Sequence, residues 1–137
     1  MAKEIKYSDK SEGQPELVIL FNKMKEIMRP YVAGNYVLSA DKPGHYEIYY
    51  GREVEIRGKK LPELMFATIL IQKGYVGFYF FPVYIDERLK KILAPEFLKC
   101  LKGKTCFHLK MNEPWLSLQV NLALRAGVDY YRSRGWV

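Results

Sequence analysis

Residues 63–85 read ELMFATILIQKGYVGFYFFPVYI, and this stretch decides the fold. Two long apolar runs, 63–72 and 75–85, are rich in β-branched and aromatic residues and meet at Lys73-Gly74. A short polar pair with glycine between two such runs is a β-hairpin signal. Upstream, Tyr36-Val37-Leu38, 45–50 and 53–57 have the same character, separated by Asp41-Lys42-Pro43-Gly44, Gly51-Arg52 and Gly58-Lys59-Lys60. Connections this short hold no crossover helix, so the strands are expected to pair antiparallel as a meander.

Outside this block the period changes. Pro15 opens a helix in which Leu17, Leu20, Phe21, Met24, Ile27, Met28 and Tyr31 recur at three- and four-residue steps, closed by Pro30. After the sheet, 86–93 and 95–101 read as short helices, the second stopped by Gly103, and 105–109 as a last strand. Pro114 sits in the first turn of a closing helix whose inward stripe is expected at Trp115, Leu118, Leu122, Ala123, Ala126 and Tyr130. Residues 1–14 read as a flexible polar leader and 15–137 as a single domain. The fold class is therefore α+β: a two-layer sandwich, an antiparallel sheet of about five or six strands with N- and C-terminal helices on one face.

Composition bounds the function. The 137 residues are 49% hydrophobic and 27% charged, a balance for one globular domain and against disorder. No apolar run approaches the roughly 20 residues of a membrane helix, and the N-terminus has no signal-peptide core, so a cytoplasmic location without membrane partners is expected. Lys and Arg number 22 against 15 acids, a net charge of +7. Residues 63–137 hold 11 basic and 6 acidic groups, hence +5, and Lys99, Lys102, Lys104 and Lys110 follow one another with no acid between them. Such a surplus favours anionic partners, nucleic acid among them, or is a solvated surface. Cys100 and Cys106 are read as reduced thiols.

The segment Gly103-Lys104-Thr105-Cys106-Phe107-His108-Leu109-Lys110 resembles the glycine–lysine–small–Cys-Phe-His–hydrophobic–lysine signature of the bacterial YdhG-like domain, a family largely of unknown function. The order of elements fits that family from about Gln14 to Tyr131. The resemblance implies a frataxin-like sandwich and, for one branch, an intracellular iron chaperone. Frataxin-type iron binding uses an acidic ridge along the first helix, whereas this helix offers Glu16 and Glu26 against Lys23, Lys25 and Arg29.

Cys106 and His108, two apart on a strand, share a face and supply two ligands for a metal such as iron, but two are too few, and a packed thiol beside a hydrogen-bonded histidine is the favoured reading. Cys106 as a nucleophile with His108 as base suffers from parallel side chains. Gly103-Lys104-Thr105 mimics the end of a phosphate loop, but Leu98 stands where the first glycine belongs. Glu47, Glu53 and Glu55 with Arg52 and Arg57 read as ion pairs on a wet hairpin. The aromatic run splits: Phe78, Phe80 and Tyr84 on one face, Tyr75, Tyr79 and Phe81 on the other. Helices on one face leave the other row to a partner, a pocket or water. The sequence therefore points to a non-enzymatic binding or carrier domain, with no catalytic residues assigned. Its expected ligand or partner surface is Tyr75, Tyr79, Phe81, Lys102, Lys104 and Lys110, with a small ligand, a protein or a second copy of the chain as partner.

Overall fold

A proline at the first helical position needs no N–H and is preset for helix, and α1 (Pro15–Met28) begins there. The computed structural model describes residues 7–137. A single 3-10 turn (Arg29–Tyr31) closes α1 at Pro30. The sheet follows: β1 (Tyr36–Lys42), β2 (His45–Tyr50), β5 (Leu64–Gln72), β6 (Tyr75–Phe80), β7 (Leu101–Lys102) and β8 (Cys106–Leu109). These pair antiparallel in the order β1-β2-β5-β6-β8-β7. The hairpin over Lys73-Gly74 joins β5 to β6 as the sequence implies. Between β2 and β5 the chain leaves the main sheet for a separate hairpin, β3 (Val54–Ile56) with β4 (Lys59–Leu61). The strand expected at 53–57 thus pairs with 59–61 and not with β2.

Strand register sorts every side chain to a face, because residues directly opposite each other project the same way. One face carries the rows Tyr46–Ile69–Phe78–Phe107 and Ile71–Val76–Leu109, all buried. α1 and α4 (Leu116–Ser133) cover this face: α1 packs on β5, β6 and α4, and Tyr131 of α4 packs edge-on against Phe66. The stripe of α1 is buried as its spacing requires, with Tyr31 half-buried.

Several expectations fail, among them Pro114 in the first turn of the last helix, which begins at Leu116. The stripe of α4 is Leu116, Val120, Ala123, Leu124, Gly127 and Tyr131, rotated from the expected one, and Leu118 is 71% exposed. β6 ends at Phe80, since Pro82 cannot continue a ladder and instead opens the one-turn helix α2 (Pro82–Ile85). Phe81 therefore turns back against the core margin and Tyr84 rides on α2, so neither extends a strand face. Gly103 lies in the β7–β8 turn and not at a helix end: α3 (Pro95–Leu98) closes earlier, and Leu101 begins a strand. Of the expected leader, residues 1–6 lie outside the described residues. Residues 7–14 are tied to the sheet: Tyr7 donates its hydroxyl hydrogen to the Ile71 carbonyl at 2.5 Å, and the Gln14 amide bridges Gln72 O and Gly74 N.

Gly127 shows what fixes the phase of α4. A Cβ there would stand 2.6 Å from the tip of Phe80 and 3.0 Å from Phe66, so the helix lies against two buried rings. Gly127→Ala gains about 1 kcal/mol of helix propensity. Forcing a methyl against packed aromatics costs about 1–3 kcal/mol. The expected outcome is a net loss of stability, read as a lower urea midpoint with an unchanged slope.

Candidate functional site

Among the described residues no helix lies on the other face of the sheet, which holds polar rows where its opposite holds apolar ones. Register gives His45–Leu70–Gly77–His108 and, one pair along, Glu47–Thr68–Tyr79–Cys106–Lys102. The two ends of these rows differ in character. At the β2 end the side chains are closed off from water; at the β8 end they are half-buried or exposed.

At the β8 end, the Tyr75 ring stacks on His108 with 3.8 Å between centroids and 9° between planes. Gly77 explains how Tyr79 fits beside them. A Cβ at 77 would lie 2.8 Å from the Tyr79 ring, so the absence of a side chain lets that ring lie along the strand. Its hydroxyl then accepts a hydrogen bond from Gln72 Nε2 at 3.2 Å. Burial, offset in part by Gln72 and reinforced by Cys106, pushes the Tyr79 hydroxyl up to about 12. Burial also raises the Cys106 thiol, with the Tyr79 hydroxyl opposing it, and raises Cys100 despite Lys102. Both thiols are free. His108 is pushed down, first by loss of water and then by the ammonium groups of Lys102 and Lys110.

A recess of about 330 Å³ opens beside this stack, lined by Cys100, His108, Leu109, Lys110, Glu113 and Trp115, with Met111 at its rim. Lys99, Lys102, Lys104 and Lys110 make no ion pair among the described residues. The structure thus brings together Tyr75, Tyr79, Cys106, His108, Lys102 and Lys110 of the residues singled out by sequence. It separates Lys104, whose ammonium lies 5.3 Å from the Tyr84 ring at a different recess, and Phe81. Among the described residues no three His, Cys, Asp or Glu side chains are placed to hold a metal ion, so Cys106 and His108 gain no third ligand.

At the β2 end the sequence reading missed a pair. His45 Nε2 lies 2.8 Å from Glu47 Oε1, with 2% and 0% of the side chains exposed. The wet surface expected for Glu47 is instead interior, because β2 pairs on both sides and Tyr7 packs edge-on against His45. The signal was available: two titratable residues at i and i+2 on a strand share a face. Burial, then the Glu47 carboxylate, push the neighbouring Tyr49 hydroxyl up to about 12.

No helix among the described residues is long and apolar enough to cross a membrane. Comparison with protein-family models, curated proteins and solved structures gave no match for this chain.

The electrostatics of the β8 end give a direct check. In a ¹H–¹³C titration, the His108 ring is expected to titrate below the ordinary histidine value of about 6.5. Lys102→Gln with Lys110→Gln should move it upward. A His108 that titrates at or above the ordinary value in the unaltered chain would contradict the site as described.

Proposed function

We propose that this chain is a non-enzymatic binding module of the YdhG-like kind, and that its ligand is an anion bearing a flat ring, held at the β8 end of the helix-free sheet face. The observation that carries the reading is the Tyr75–His108 stack, which feels the charges of both Lys102 and Lys110 and lies beside the recess at Trp115. Lysines on a short edge strand also discourage sheet-to-sheet pairing, so charge alone would not carry it. An aromatic shelf adds what an edge does not need: a surface on which a ring stacks, worth about 1–3 kcal/mol per base in single-strand binders. The raised thiols favour binding over nucleophilic chemistry, because the thiolate is the reactive form. The iron-carrier alternative implied by the family resemblance finds no cluster of three ligands among the described residues.

Trp115 lines the recess and reports on it. Titration with a nucleoside monophosphate is expected to change its fluorescence at lower concentration than inorganic phosphate does. Lys102→Gln with Lys110→Gln should weaken nucleotide binding about tenfold or more, the loss of one charge-assisted hydrogen bond, and Tyr75→Ala should abolish the preference for the nucleotide. Equal, weak responses to both probes that neither variant alters would overturn the reading. A single-stranded oligonucleotide that binds more tightly still, with affinity falling steeply as salt rises, would assign the surface to nucleic acid instead.

A further inference from the structure

The β2 end of the same face carries a separate feature that the binding surface does not use. Glu47 is fully buried, and His45 serves only one of its oxygens, Oε1. Among the described residues Oε2 has no hydrogen-bond partner, and neither does Oγ1 of Thr68, also fully buried. The two residues stand directly opposite each other in the β2–β5 register, so both bare oxygens belong to one spot on the face. The Tyr49 hydroxyl lies within hydrogen-bonding reach of the same carboxyl group, which leaves Oε2 as the oxygen with no partner of its own among the described residues. Oε2 of an ionised Glu47 can only accept, and Oγ1 of Thr68 accepts as well as donates, so a group with several donors can serve both. A buried carboxylate also calls for positive charge, since an ion taken from water without compensation is costly. A metal ion is disfavoured because no third carboxylate, thiol or imidazole joins His45 and Glu47 among the described residues. Ion pairing with Lys or Arg does not meet the need either: His45 is the one described partner of Glu47 among the ion pairs.

We propose that Glu47 and Thr68 form a receiving site for a hydrogen-bond-donating cation, a primary ammonium or a guanidinium group. Either group brings several N–H donors on one centre, enough to serve Oε2 and Oγ1 together. Two sources offer that chemistry. One is a free amine or a partner's basic side chain. The other is this chain: Lys6 is adjacent in sequence to Tyr7, whose ring packs on His45, and Lys3 is three residues earlier. At up to about 3.3–3.6 Å per residue, both are close enough along the chain to be tested.

The test uses the full ¹³C-labelled chain at pH 7 and follows the Glu47 carboxyl carbon. Methylammonium chloride is added, with tetramethylammonium chloride, which has no N–H, as the control; the same series is run on Lys3→Met/Lys6→Met. If a free amine fills the site, both proteins respond to methylammonium, with a preference over the control of about tenfold or more, as a charge-assisted hydrogen bond supplies. If the chain's own lysine fills it, the unaltered protein does not respond, whereas the variant shows a shifted Glu47 signal and gains the response. Either pattern supports the proposal. A Glu47 carbon at the position of a neutral carboxyl, or one that responds to neither ion in both proteins, overturns it and leaves a buried water as the filler of the two oxygens. Because the first series needs no substitution, a variant that fails to fold does not decide the matter.

Discussion

Antiparallel pairing of β5 with β6 is the constraint from which the remaining structure follows. Once Thr68 faces Tyr79 and Ile69 faces Phe78, the two-residue period assigns every neighbouring strand to one face or the other. A slip by one residue would send Phe78 and Phe80 outward and Tyr79 and Thr68 under the helices. Such a slip would expose two rings that are now fully buried and bury a hydroxyl of Tyr79 that Gln72 now satisfies. Full burial of a large apolar side chain is worth about 1.5–3 kcal/mol, so the register is held by several such terms at once. α1 and α4 then have a single place to put their apolar stripes.

That arrangement leaves a polar face whose two ends have opposite electrical character. Near β8, burial first and then the charges of Lys102 and Lys110 push His108 toward its neutral form. Near β2, Glu47 is closed off from water with His45 at Oε1 and, among the described residues, no hydrogen-bond partner at Oε2. Leu70 and Gly77 interrupt the row between the two histidines, whereas the adjacent row, Glu47–Thr68–Tyr79–Cys106–Lys102, is polar from end to end.

Much of this was legible beforehand, and the failures have identifiable causes. The hairpin at Lys73-Gly74 and the stripe of α1 are strong patterns with one solution each, and both are found. In α4 the apolar residues are spread around the helix, so spacing alone permits more than one phase; contact of Gly127 with Phe66 and Phe80 chooses among them. Phe81 and Tyr84 were assigned by extending a strand period through Pro82, where the backbone turns instead. Glu47 looked like a surface acid because Arg52, Glu53 and Glu55 follow it, but those residues leave with the β3–β4 hairpin and Glu47 stays in the sheet. Period puts Cys106 with His108 and Tyr75 with Tyr79, each pair on one face; the β6–β8 pairing that brings the two pairs together comes from the fold. The recess at Trp115 joins segments distant in sequence, which periodicity does not report.

The most direct measurement is solvent exposure of the two faces, read by a soluble gadolinium chelate that broadens ring signals in contact with water. Tyr75 and His108 should broaden strongly, while Phe78, Phe80 and Phe107 should remain sharp. Equal protection of both sets, or broadening of the phenylalanines, would mean that the helices do not shield one side of this sheet alone.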